Sequence, residues 1–428
     1  MMESEVLSYK APLYGRRSGQ ILVEPLNFKQ SWQFFENKSF NEWLDVFIYL
    51  KKNVKEPFIF AIDEYPYLIE TEKSVNSVFQ KGWDQYLKDL PILLILSGSS
   101  IAMMESEVLS YKAPLYGRRS GQILVESLNF RQSSQIFENK SFDEFLPFYT
   151  LAGGMPAYLL ELNPNDSLEV NLKIKVLDKK EFLHNEVEFI LREELREPRI
   201  YLSILKAISW GQTRASEIIN ETGLEKNILF KYLGVLEDLK LITREVPVTE
   251  VNKSKSKKGI YKISDNFIKV WFQYIYPYKS SLEIGEYTEA IDKFKVGFPI
   301  LICSTYEQVC QEILKENQNN IFSFEKIGRW WDNYNEIDIV GLNSESKQII
   351  FCECKWSNKD IGTNILNDLI VKSKEVIWDN DSRTECYALF SKSGYTEDLL
   401  KIAKEMGNVY LFHQDKLIHQ AGNRGSRR

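Results

Sequence analysis

Uninterrupted apolar runs mark the first strands of the chain. Phe58-Ile-Phe-Ala-Ile62 and Ile92-Leu-Leu-Ile-Leu96 are five residues each, the pattern of strands buried on both faces in a parallel sheet. From about residue 150 the apolar spacing becomes helical. Residues 150–195 read as helices around a Gly153-Gly154 turn, with Pro156 placed to start one of them. Segments 202–208, 216–219 and 228–241 are apolar-periodic, with breaks at Thr213 and Thr222-Gly223. Two strand patterns, 241–247 and 259–263, then flank Lys253-Ser-Lys-Ser-Lys-Lys258. Three helices followed by such a hairpin predict a winged helix over 196–280, whose second helix of the pair (225–239) enters a groove while the hairpin loop meets phosphates.

The last third repeats the strand signal with charges in it. Glu336-Ile-Asp-Ile-Val340 and Lys347-Gln-Ile-Ile-Phe-Cys-Glu-Cys-Lys355 are joined by the turn-rich segment Gly341-Leu-Asn-Ser-Glu-Ser346. A hairpin pivoting at its middle sets Asp338 opposite Glu353 and Glu336 opposite Lys355, with Cys352 and Cys354 on the other face. A helix over 304–314 carries Glu307 upstream. Carboxylates gathered beside buried strands are costly unless they hold a cation or pair with lysine. The x-D-x14-E-x-K spacing fits the PD-(D/E)xK nuclease core, in which the acids bind Mg²⁺ and the lysine steadies the attacking water. Glu307, Asp338, Glu353 and Lys355 form the candidate set, the three acids being metal ligands and Asp338, Glu353 and Lys355 catalytic. A nuclease-shaped but inactive domain and an ordinary salt-bridged hairpin stay open beside that reading.

At 428 residues the chain is too long for one hydrophobic core and predicts two or three domains. Its 54 basic and 60 acidic side chains leave a net charge of -6, which excludes a globally basic nucleic-acid binder but not a local patch such as Lys253, Lys255, Lys257 and Lys258. A protein-binding spacer is the other use of that hairpin. The strongest apolar stretch, 91–96, is far short of the roughly 20 residues of a membrane span, and the chain reads as cytoplasmic, with no membrane partner. Five cysteines, Cys303, Cys310, Cys352, Cys354 and Cys386, suit a reducing compartment. Only His184, His413 and His419 accompany them, so buried thiols are expected rather than zinc.

Residues 1–44 repeat residues 103–146 with six differences, Pro25/Ser127, Lys29/Arg131, Trp32/Ser134, Phe34/Ile136, Asn41/Asp143 and Trp43/Phe145. A single near-identical pair is a duplication and not a stacking repeat. The second copy follows the strand 92–96, whereas the first opens at Met1. Residues 1–40 are therefore expected to replace what preceded Phe58, leaving the N-terminal domain incomplete and the first copy less ordered than its twin.

Asp63 and Glu64 stand at the end of the first strand, where open α/β sheets bind ligands. A strand end opening a capped helix explains them equally well. Four motifs in order settle on a resemblance: Asp63-Glu-Tyr-Pro-Tyr-Leu68, Leu96-Ser-Gly-Ser-Ser100, Pro114-Leu-Tyr-Gly-Arg118 and Gly153-Gly-Met-Pro156. Together with Gly328-Arg-Trp-Trp331 and Glu353-Cys-Lys-Trp356, they resemble the archaeal and bacterial AAA-type ATPases that carry a C-terminal DUF234 domain. The resemblance covers about residues 45–415. It implies that Asp63 and Glu64 are the Walker B acids, Asp63 on the metal and both in hydrolysis. Ser97, Ser99 and their neighbours would be the sensor strand end, and Arg118 a phosphate-contacting arginine, while a helix-turn-helix segment would lie near 196–280.

The family's phosphate loop is missing from the sequence, for no G-x-x-x-x-G-K-[ST] occurs in it. Gly15-Arg-Arg-Ser-Gly-Gln20 has the wrong spacing and Gln20 in the lysine position, and it recurs at 117–122. ATP, a family-level cofactor, is expected to bind weakly or not at all. The expected architecture is an α/β multidomain chain: a duplicated segment 1–44, a partial P-loop NTPase-like α/β core 45–150, an all-α lid 151–195, a winged helix 196–280, a C-terminal α/β restriction-endonuclease-like domain 281–415 and a tail 416–428. The expected role is that of a rearranged DUF234 ATPase with a nuclease-like domain acting on DNA or RNA. The alternative is a non-enzymatic DNA-binding or protein-interaction module with an inactive nuclease fold.

Overall fold

The computed structural model describes residues 40–99, 103–195 and 197–420. Most of the first repeat copy, the segment Gly15 to Gln20, Ser100 and most of the tail lie outside the described residues, as does the expected difference in order between the two copies. The chain divides into two compact units, Met1–Glu126 and Ser127–Arg428. Their boundary falls inside the second repeat copy.

In the first unit, α1 (Trp43–Asn53) precedes β1 (Phe58–Ile62), α2 (Tyr65–Thr71), α3 (Val75–Gly82) and β2 (Ile92–Leu96). The two apolar runs pair in parallel, Phe58 with Ile92 through Ile62 with Leu96, so both strands end together at the polar residues that follow. Phe47, Phe79 and Tyr65 build the core from three helices, with ring centroids 5.0 Å apart for Phe47 and Phe79 and 5.1 Å for Tyr65 and Phe79. Gly82 is required there, because a Cβ would sit 2.2 Å from the Phe47 ring.

The second unit begins with helices: α4 (Phe130–Ser134), α5 (Phe142–Ala152), α6 (Pro156–Glu161), α7 (Leu168–Asn171) and α8 (Phe182–Glu194). Ser141 and Glu144 cap α5 reciprocally. Next come α9 (Pro198–Ser209), α10 (Ala215–Thr222) and α11 (Lys226–Asp238). Gly223, at φ +68°, closes α10 in the left-handed region. Strands β3 (Ile242–Glu245) and β4 (Ile260–Ile263) then form a two-stranded antiparallel hairpin.

After α12 (Asn266–Tyr274) and α13 (Lys279–Glu283), the helix α14 runs from Thr288 to Glu316. It is far longer than the expected 304–314. Pro299 inside it removes one backbone hydrogen bond, but packing of Phe294, Phe298, Tyr306, Val309 and Ile313 holds the helix through that position.

The remaining elements are β5 (Lys326–Trp331), β6 (Glu336–Asn343), β7 (Gln348–Lys355), α15 (Thr363–Ser373), β8 (Thr384–Ser391), α16 (Glu397–Met406), β9 (Val409–His413) and β10 (Lys416–His419). They make one six-stranded sheet in the order β10-β9-β8-β7-β6-β5. Strands β7, β8 and β9 are parallel, and the flanking pairs antiparallel. Ile339, Ile350, Cys352 and Phe390 pack with Val309 and Cys310 of α14 on one side. Phe351, Leu389 and Leu411 pack with Leu366, Leu369 and Leu399 of α15 and α16 on the other. Both faces are covered, so the strands read as near-continuous apolar runs.

The expected turn at Gly341 to Ser346 is a correction. Strand β6 continues to Asn343, which pairs with Gln348, and the loop is residues 344–347. Gly341 is a strand residue whose missing side chain admits Phe324, since a Cβ there would lie 2.8 Å from that ring.

Candidate functional site

At the end of β1 the backbone turns sharply, and Glu64 takes a left-handed conformation at φ 52°, uncommon for a residue with a side chain. The serines after β2 hold the turn. Ser97 Oγ donates to Asp63 Oδ1 at 2.7 Å, and Ser99 Oγ donates to Glu64 Oε2 at 3.0 Å. The structure thus brings together Asp63, Glu64, Ser97 and Ser99, as expected from two parallel strands ending in register. Arg118 is committed elsewhere. It grips Asp84 through two nitrogens at 2.9 and 2.8 Å and donates to the carbonyls of Pro114 and Tyr116. Its guanidinium braces a turn in this structure and is not joined to the Asp63 cluster by any of these bonds.

In the second unit, Asp338 and Glu353 are both buried. The β6–β7 ladder supplies the register expected for them but stops one step short, with Ile339 paired to Cys352. Beyond that step the strands part, and Asp338 Oδ2 accepts from the Cys354 amide at 2.8 Å. On the opposite edge the β5–β6 register shifts: Gly328 pairs with Val340, but Trp330 pairs with Ile337. One residue of β5, Arg329, thus faces two of β6, a bulge at Asp338 and Ile339 that breaks alternation. Ile337 joins the same core as Val340, while Ile339 joins the other. Glu336 is therefore not opposite Lys355. It pairs with Trp331 on β5 and binds Arg329 at 3.1 Å.

Glu353 is held at both oxygens. Lys355 Nζ lies 2.7 Å from Oε1, and Lys372 Nζ, from the last turn of α15, lies 3.4 Å from Oε2. Burial opposes the Lys355 ammonium, but its contact with Glu353 and the charge of Asp338 raise its pKa above the usual lysine value. Glu307 approaches from α14. Burial raises its pKa, the charges of Arg329 and Lys262 lower it, and Glu336 and Glu353 raise it. Asp338 is pushed up to about 7 by burial and then by the charges of Glu353 and Glu307, against the opposing pull of the Cys354 amide and Lys355. The four expected residues thus form one electrostatic cluster around the end of the hairpin.

Three carboxylates are the right donors for a hard divalent cation. As the side chains stand, ion pairs occupy Glu353, and among the described residues no three His, Cys, Asp or Glu side chains are arranged to hold a metal ion. Cys310, Cys352, Cys354 and Cys386 are buried free thiols whose pKa values burial raises. Trp330 is a core residue, and Trp356 packs against Tyr306 with the rings tilted by 53° and centroids 5.0 Å apart.

The lysine loop of the β3–β4 hairpin is organised from below. Arg244 donates to the carbonyls of Lys253 and Ser256 at 2.6 and 2.7 Å. Lys253, Lys255 and Lys257 are exposed, and Lys258 pairs with Glu250 at 3.1 Å. The chain leaving β3 docks on the outer edge of the six-stranded sheet, where the Val248 amide donates to the Arg329 carbonyl at 2.9 Å. Sequence reasoning missed Lys372 and Arg329 as site neighbours. Arg329 lies inside the motif 328–331, whereas no local signal marks Lys372, whose helix brings it back across the sheet.

A family model described as an ATPase domain predominantly from Archaea matches residues 35–162. The DUF234 model, described as archaeal and bacterial proteins of unknown function, matches residues 271–367. An uncharacterised protein of Methanocaldococcus jannaschii is 37% identical over 378 residues, covering 87% of this chain and 81% of its own length. The chain belongs to the DUF234 ATPase family. A second uncharacterised M. jannaschii protein is 43% identical to this chain over 58 residues, 13% of this chain and 56% of its own length. Among the described residues, no helix is long and apolar enough to cross a membrane.

The raised Asp338 carboxyl has a consequence for stability. A carboxyl whose folded pKa exceeds its unfolded value binds protons more tightly when folded, so stability falls as pH rises from 3.8 to about 7. Asp338→Asn keeps the acceptor for Cys354 and removes the charge. In EDTA at pH 8 it is expected to stabilise the protein by on the order of 1 kcal/mol, a gain that shrinks toward pH 4. Thermal melts at the two pH values measure it; a variant less stable than the parent at pH 8 contradicts the geometry.

Proposed function

We propose that this DUF234 ATPase carries a nuclease-like C-terminal domain that acts on nucleic acid with Mg²⁺, and that its N-terminal unit has lost tight ATP binding. The observation that carries the first half is the convergence of buried Asp338 and Glu353 with Glu307 and Lys355 where the β6–β7 ladder ends. The order α14, β5, β6, β7, α15, β8 supports it, being the helix, three antiparallel strands, helix and parallel strand of a restriction-endonuclease-like core. Glu307, Asp338 and Glu353 would hold the cation, which supplies Lewis-acid stabilisation of the phosphoryl oxygens. Lys355, kept protonated by Glu353, would orient the attacking water or neutralise charge on the phosphate.

Helices α9 to α11 with the β3–β4 hairpin support a winged helix, and α6 to α8 a helical lid. Lys253, Lys255 and Lys257 are exposed on the loop, where they would contact phosphates of DNA or RNA; Lys258 would join them by releasing Glu250. Docking of Val248 on the sheet edge would present a bound strand to the same domain that carries the acids. A second reading, a binding module with an inactive nuclease fold, is favoured by one observation: both oxygens of Glu353 are already paired with lysine.

Incubation of the full chain with single- and double-stranded DNA and RNA, with Mg²⁺ or EDTA, separates the two readings. Mg²⁺-dependent cleavage is expected, and Glu353→Gln is expected to slow it by about 10²-fold or more. Binding without cleavage under all these conditions overturns the enzymatic reading in favour of the module.

The ATP half rests on the absence of a G-x-x-x-x-G-K-[ST] loop beside intact Asp63 and Glu64. Without backbone amides and a lysine around the phosphates, calorimetry with Mg-ATP is expected to give no binding in the micromolar range. Micromolar binding that Asp63→Ala removes would contradict this half.

A further inference from the structure

Among the described residues, Val251 at 94% and Tyr334 at 93% are the most exposed large apolar side chains. They stand on two loops joined at the outer edge of the six-stranded sheet. Val251 lies in the loop of the β3–β4 hairpin, just after Val248, whose amide is bonded to the Arg329 carbonyl of β5. Tyr334 lies in the turn between β5 and β6. Charge links the loops as well. The amides of Tyr334 and Asn335 hold the Asp332 carboxyl below its usual pKa, and the charge of Lys258 lowers it further.

The turn is a firm mount for the tyrosine. Asp332 Oδ1 accepts from the amides of Tyr334 and Asn335, both at 2.7 Å, and the Asp332 amide donates to the Asn335 carbonyl at 2.9 Å. The backbone of Tyr334 is thus fixed while its ring packs on nothing. A side chain so exposed buries almost no apolar area and contributes little to folding.

The charge beside it is one-sided. The nearby acids are matched, Glu250 with Lys258 at 3.1 Å, Glu245 with Lys262 at 2.8 Å and Glu336 with Arg329 at 3.1 Å. Lys253, Lys255 and Lys257 are exposed, and among the described residues they enter no ion pair. Their loop is ordered nonetheless: besides the two bonds from Arg244, Asn252 Oδ1 accepts from Ser254 Oγ at 2.8 Å and from the Lys255 amide at 3.3 Å. Surplus lysines attract phosphates, and a bare aromatic ring accepts the face of a base. A duplex keeps its bases stacked on one another, whereas an unpaired strand offers their faces.

We propose that Tyr334 is the stacking platform for an unpaired base of a single-stranded polynucleotide, whose phosphates lie along Lys253, Lys255 and Lys257. The contact is non-covalent and requires no cation. It rests on the nucleic-acid half of the proposed function and names the form of nucleic acid bound. Asp338 follows Tyr334 by no more than roughly 13 Å of extended chain, so a strand seated on the ring lies beside the acid cluster.

The probe is a fluorescein-labelled oligothymidylate of about 20 nucleotides, alone or annealed to its complement, titrated with the full chain in EDTA at about 0.1 M salt. Anisotropy reads binding. Tyr334→Ala is expected to weaken single-strand binding by about ten-fold and duplex binding by less than about two-fold. Tyr334→Phe keeps the ring and is expected to bind within about two-fold of the parent. Lys255→Gln is expected to weaken both forms alike and to lower the salt slope by about one. Melting curves matching the parent show that the variants are folded. Single-strand binding that Tyr334→Ala leaves unchanged, an equal loss on the duplex, or a loss in Tyr334→Phe as large as in the alanine variant overturns the stacking platform while leaving nucleic-acid binding intact. No binding of either form by the parent overturns the nucleic-acid reading, and the platform with it.

Discussion

Two carboxylates buried on neighbouring strands repel each other, and neither has enough water to disperse its charge. The C-terminal half of the molecule is organised around that problem at Asp338 and Glu353. The strands part just where the acids lie, so that Asp338 takes a backbone amide and Glu353 takes two lysines. A bulge in β6 opposite Arg329 turns Asp338 out of the regular alternation. Without it, the side chain would follow Val340 into the apolar core beneath α15.

The long elements serve the same end. Helix α14 carries Glu307 to the cluster while burying Val309, Cys310 and Ile313 against the sheet. The parallel strands β7 and β8 require a crossover, and that crossover is α15, which returns Lys372 to Glu353. Arg329 links the sheet edge to the hairpin by its backbone and to Glu336 by its side chain. In the N-terminal unit the corresponding problem has a milder solution: serine hydroxyls donate to Asp63 and Glu64. This arrangement suits carboxylates at a sheet's open end better than deep ones.

The continuous apolar runs 58–62 and 92–96 match β1 and β2 residue for residue, although the two-sided burial expected of them is not found: Ile59 and Leu93 are exposed. The register of the β6–β7 ladder followed from the sequence as far as Ile339 and Cys352, but the ladder ends there and the expected Asp338–Glu353 pair is not part of it. Gly341 misled, since a glycine that makes room for Phe324 looks the same in sequence as one that makes a turn. The bulge was invisible because it depends on β5, a partner strand whose pairing no local pattern specifies. Arg118 and Lys372 show the same limit from opposite sides. Each is bound to an acid far along the chain, Asp84 and Glu353, and only the fold decides which acid a cation meets.

Burial and the neighbouring carboxylates, rather than a lysine partner, set the state of Asp338. A carboxyl-detected NMR titration of Asp338 in the full chain measures this directly. Without divalent cations its midpoint is expected near 7, and added Mg²⁺ is expected to move it to lower pH by favouring the charged form. A midpoint close to 4 that Mg²⁺ leaves unmoved would contradict the account.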